Sequence, residues 1–112
     1  MKNIETSCSE LAGVMVVIES YLCAGRANDA VAYLSRAAER FSQRGLTLKA
    51  IAVLKKASTI APENTEVLKR LSKLFLRCGM KEDALRHCIK AAFVYYRTGR
   101  AEKAMQTCRK IV

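Results

Sequence analysis

The stretch FSQRGLTLKAIAVLKKASTIAPEN, residues 41–64, decides the fold. Gly45 follows Arg44 and can take the positive φ that closes a helix end, while the cation before it suits the negative pole of the helix dipole. Beyond it, Ile51, Leu54, Ala57 and Ala61 recur at helical spacing, so residues 46–60 are expected to form an amphipathic helix. Pro62 ends that helix. Asn64 or Thr65 then begins the next one, with Glu66 in its first turn.

The same punctuation recurs along the chain. Gly25, Gly45, Gly79 and Gly99 are separated by 20, 34 and 20 residues. Sliding residues 25–58 onto 79–112, a shift of 54, pairs Gly25 with Gly79, Asp29 with Asp83, Ala30 with Ala84, Ala37 with Ala91 and Ala38 with Ala92. The register continues through Gly45/Gly99, Lys49/Lys103, Ala50/Ala104 and Lys56/Lys110, and Phe41 falls on Tyr95. Fixed-period self-similarity of this kind marks a repeat architecture. The expected fold is all-α: a single domain over residues 1–112, a helical-repeat solenoid of about six antiparallel helices. They are expected near 6–24, 27–44, 46–60, 65–78, 80–98 and 100–112.

These residues resemble the tetratricopeptide repeat, a helix–turn–helix of about 34 residues with the pattern W-x₂-L-G-x₂-Y, A-x₃-F and P. Residues 65–98 follow it with Leu68, Leu71, Ser72, Phe75, Gly79, Ala84 and Cys88. Residues 34–62 follow it with Leu34, Ala37, Ala38, Phe41, Gly45, Ala50, Leu54, Ala57 and Pro62, and weaker copies centre on Gly25 and Gly99. The chain departs from the family in lacking the Trp and in the two short gaps, which make helices 27–44 and 80–98 shared between successive repeats. It also stops at Val112 without a Pro-type exit or a polar capping helix.

The resemblance implies a non-catalytic interaction module or scaffold that binds a peptide or partner helix in a concave groove lined by the first helix of each repeat. Carried onto this chain, the groove positions include Lys69, Lys73, Leu76 and Arg77, with Phe93, Tyr96 and Arg97 from the following helix; Glu66 and Ile89 fall at inward positions too. Lys69, Lys73 and Arg77 are four apart and share a helix face, where they can bind acidic side chains or a terminal carboxylate. The Asn residues with which some family members clamp a carboxylate are missing here.

Composition narrows the function classes. The 112 residues carry 20 Lys plus Arg against 10 Asp plus Glu, a net charge of +10. Residues 1–25 are net acidic, and the basic excess lies beyond them. An acidic protein partner is the main expectation, and non-specific RNA or DNA binding is the alternative. The single histidine, His87, excludes a multi-His metal site. No phosphate-binding glycine loop, carboxylate pair or nucleophile–base pair stands out, so neither catalysis nor a cofactor is expected. Five cysteines without a C-x-x-C suggest reduced cytoplasmic thiols rather than a disulfide framework or a zinc site. The longest apolar run near the start, Leu11–Ile18, is too short to span a membrane, which takes about 20 residues. No signal peptide is expected. Helix 6–24 is apolar nearly all round, and the last helix ends with Ile111 and Val112. Self-association through one of these ends, or docking on a larger partner, is therefore a further expectation.

Overall fold

The computed structural model describes residues 2–111, with side chains described for residues 10–106 and Arg109. It is all-α, with six helices: α1 (Lys2–Cys23), α2 (Ala27–Gln43), α3 (Thr47–Ile60), α4 (Thr65–Arg77), α5 (Lys81–Arg97) and α6 (Ala101–Ile111). No strand occurs among the described residues. The first helix begins at Lys2 rather than near residue 6; residues 2–5 contain no Gly or Pro that would delay it. The chain forms two compact units, residues 1–60 with α1–α3 and residues 61–112 with α4–α6. In the first unit α2 packs on both α1 and α3; in the second, α5 packs on both α4 and α6.

One turn is used four times. Gly25, Gly45, Gly79 and Gly99 all have φ between +73° and +81°. At Gly45 the glycine N–H donates to the Ser42 carbonyl at 3.0 Å, and the Leu46 N–H reaches back to the Phe41 carbonyl at 2.8 Å. The other three turns repeat both bonds, with Tyr21, Phe75 and Tyr95 in the place of Phe41. This is the glycine-terminated helix end in which two otherwise orphaned carbonyls find donors. Five residues after each glycine comes an alanine whose N–H opens the next helical ladder: Ala30, Ala50, Ala84 and Ala104, all buried. A larger side chain there would hold the two helices of the turn apart, at a typical overpacking cost of about 1–3 kcal/mol.

The 54-residue shift holds in three dimensions. Both bounds of α2, Ala27 and Gln43, map onto those of α5, Lys81 and Arg97, and the start of α3 maps onto the start of α6. Equivalent core positions are also buried in both copies: Ala30 and Ala84, Leu34 and Cys88, Ala37 and Ala91, Phe41 and Tyr95. Between the units the run Ala61–Asn64 replaces the glycine turn. Pro62 follows the end of α3, and the Asn64 side chain caps α4 by accepting the Val67 N–H at 3.3 Å. Because this link carries no turn glycine, the gap of 34 from Gly45 to Gly79 spans two helices, α3 and α4, where each gap of 20 spans one.

In the second unit the small residue Ser72 is fully buried on α4, and its hydroxyl donates to the Ala84 carbonyl of α5 at 2.7 Å. A serine at this crossing both lets the helices approach and satisfies its own polar atom. His87 of α5 stacks on Phe75 of α4 with centroids 5.1 Å apart, and its Nδ1–H donates to the Asp83 carbonyl at 2.8 Å. The lone histidine is thus a half-buried packing residue.

Candidate functional site

All seven sequence-derived contact residues lie in the second unit, on α4 and α5. On α4 the buried residues Val67, Leu68, Leu71, Ser72, Leu74 and Phe75 take one side of the helix. Glu66, Arg70, Lys73 and Arg77 are exposed and fall on the other side at three- and four-residue steps, and Leu76 beside them is partly exposed. Arg70 belongs to this cationic face although the family pattern did not single it out. The i, i+3, i+4 spacing from Glu66 through Arg70 and Lys73 to Arg77 is the signal that locates it.

Lys69 sits at the edge of that face and turns inward. Its Nζ lies 3.5 Å from the Tyr95 hydroxyl, 3.7 Å from the Glu66 carboxylate and 5.9 Å from the centre of the Tyr95 ring. Lys103 of α6 brings a second ammonium to the same ring at 5.8 Å. Tyr95 itself is buried, as its alignment with Phe41 suggests. A hydrogen bond from Thr65 is the main influence holding its phenol below the ordinary value of 10.0; the bond and charge of Lys69 and the charge of Lys103 act the same way, against the opposing effect of burial. Lys69 therefore helps to build the unit, tying α4 to α5, and only part of it is open to a partner.

On α5 the line that packs inward is Ala84, Cys88, Ala91 and Tyr95. Contacts to α4 run through Ala84, His87 and Tyr95. Phe93 and Tyr96 lie off this line and are 62% and 71% exposed. Arg97 covers the Phe93 ring at 5.9 Å and also pairs with Glu63, just ahead of α4. Ile89, another inward position of the resemblance, is 55% exposed. The seven residues thus form two surfaces, a cationic one on α4 and an aromatic one with its arginine on α5.

In the first unit a shallow groove of about 650 Å³ lies between α1 and α2, lined by Val14 and Val17 on one wall and Tyr33, Ala37 and Phe41 on the other. An ion pair from Arg44 to Glu10, at 2.6 Å, ties its walls. Val16 on α1 is 66% exposed. Ile111 and Val112, named with helix 6–24 as ends open to association, lie outside the described side chains. Among the described residues no three His, Cys, Asp or Glu side chains are grouped to hold a metal ion, and no helix is long and apolar enough to cross a membrane.

No family model matches the chain, and no curated protein matches it. Among solved structures it is similar to a crystal structure of MamA, with 14% identity and a TM-score of 0.45, covering 98% of this chain and 81% of that one. A second crystal structure of the MamA protein is similar at 13% identity and a TM-score of 0.44, covering 96% of this chain and 74% of that one.

Proposed function

We propose that this chain is a non-catalytic protein–protein interaction module of the tetratricopeptide kind, binding an acidic peptide or partner helix through its second unit. The observation that carries this is the exposed cationic face of α4, with Arg70, Lys73 and Arg77 in one line opposite the buried side of the helix. Charge-assisted hydrogen bonds from such a line select carboxylates spaced along an extended or helical segment. Lys69 and Leu76 flank the line, and Phe93, Tyr96 and Arg97 add an apolar contact surface on α5. Four copies of one helix–turn–helix turn support the family reading, since the segments around them carry its small-residue and aromatic positions.

The test is charge reversal that spares the packing residue Lys69. Arg70→Glu with Lys73→Glu is expected to weaken binding of a labelled poly-glutamate peptide about tenfold or more at low salt. The circular-dichroism spectrum should not change. Unchanged affinity would remove α4 from the binding surface.

A further inference from the structure

The duplication supplies an internal control for α5, because each of its residues has an equivalent on α2 that occupies the same place in the same turn–helix–turn unit. One residue after each member of the buried line Ala84, Cys88, Ala91 and Tyr95 comes Leu85, Ile89, Ala92 and Tyr96, and Phe93 lies beside them. This second stripe runs parallel to the buried one, about 100° round the helix. Leu85, Ile89, Phe93 and Tyr96 are 39%, 55%, 62% and 71% exposed. The equivalents on α2 are Val31, Ser35, Glu39 and Ser42, with Ala38 in the place of Ala92. Val31 and Ala38 are buried, Ser35 and Ser42 are half-buried, and Glu39 is exposed. So where α2 shows a polar surface, α5 shows Ile, Phe and Tyr. Nothing in the turn–helix–turn unit requires large apolar residues there, since α2 builds it without them.

Water-exposed Ile, Phe and Tyr in one stripe form a contact surface. Its chemistry is set by its flank. Arg86, Lys90 and Arg97 follow one side of the stripe at helical spacing, and the two acids of α5, Glu82 and Asp83, are confined to its first turn. Arg86 reaches Asp83 at 3.4 Å and Arg97 reaches Glu63, but both pairs are exposed and exchangeable. From Leu85 to Tyr96 the stripe is about 16 Å long, three helical turns.

We propose that the Leu85–Ile89–Phe93–Tyr96 stripe of α5 docks an amphipathic helix of a partner protein, about three turns long, with an apolar face and acidic residues along one flank. The partner's apolar residues at i, i+3/i+4 and i+7 lie against Ile89, Phe93 and Tyr96, and its carboxylates face Arg86, Lys90 and Arg97. This rests on the interaction-module reading and gives it a second face, distinct from the cations of α4.

The probe is a labelled synthetic peptide of about five turns, with Leu at the helical a and d positions and Glu on its flanks, and a twin with Lys in place of Glu. Binding is read by fluorescence anisotropy, and the mass of the protein by light scattering. Ile89→Ser and Tyr96→Ser place on α5 the serines that α2 carries at the equivalent positions, and Phe93→Ser adds a small polar residue where α2 carries Glu39, all without changing charge. The Glu peptide is expected to bind the unaltered protein, and at least about tenfold more weakly to the triple variant. The Lys twin is expected to bind at least about tenfold more weakly than the Glu peptide. Equal binding to the triple variant overturns the α5 assignment and leaves the α4 reading to its own poly-glutamate test. Absence of binding by the Glu peptide together with absence of poly-glutamate binding overturns both. A dimer that the triple variant dissociates also overturns the proposal, because a second copy would then be the occupant.

Discussion

Two lysines lie over the ring of Tyr95, and its hydroxyl takes hydrogen bonds from Thr65 and Lys69. These donors and charges favour the phenolate and hold the folded-state pKa below the unfolded value of about 10. For an acid whose pKa is depressed, the native state binds fewer protons in the window between the two values. The added stability is full above about pH 10 and is lost as pH falls through the folded pKa. The denaturant midpoint of the unaltered protein should therefore gain on that of Tyr95→Phe as pH is raised towards 10. A difference that stays constant with pH would mean that the lysines do not act on the phenol. The burial of Tyr95 was legible from its register with Phe41. Its lysines were not, because Lys69 and Lys103 meet only once α4 and α6 have both packed on α5, a tertiary event that periodicity does not record.

At the scale of the element, helix ends were the most readable feature, since glycine turns and one Pro–Glu–Asn link punctuate the sequence. At the start of α4 the Asn64 side chain accepts the Val67 N–H at 3.3 Å. Asn64→Ala should cost about 1 kcal/mol of unfolding free energy in urea titration, and Asn64→Ser should recover most of it. A loss of the same size in both variants would place the effect elsewhere than in the cap. An aromatic residue four positions before every turn glycine, Tyr21, Phe41, Phe75 and Tyr95, was present in the sequence but is obvious only once the four turns are seen to share one hydrogen-bond pattern. The two stripes of α5 were ambiguous for a different reason. Leu85, Ile89, Ala92 and Tyr96 have the same spacing as Ala84, Cys88, Ala91 and Tyr95, and the larger side chains of the first set make it the better core candidate by hydrophobicity. The small residues are buried because α4 and α5 cross closely at Ser72 and Ala84, and close crossing selects size over hydropathy.

For the whole molecule, a net charge of +10 suits two kinds of polyanion, an acidic protein segment and a phosphate backbone. The proposed function gives the cations of α4 to carboxylates of a protein partner. A phosphate backbone would use the same charges with a different signature, because each neutralised phosphate releases counterions and steepens the dependence on salt. The aromatic and aliphatic stripe of α5 bears on the choice. Base stacking would use Phe93 and Tyr96 but would leave Leu85 and Ile89 without a role, whereas a partner helix engages all four. The most direct measurement is a fluorescence-anisotropy titration of the protein with a random single-stranded oligonucleotide at about 50 and 200 mM salt. No saturable binding is expected at the higher salt, and no competition with the Glu-flanked helical peptide. Tight binding that falls by orders of magnitude between the two salts, and that Arg70→Glu/Lys73→Glu abolishes, would overturn the protein-partner reading and make the α4 face a phosphate contact.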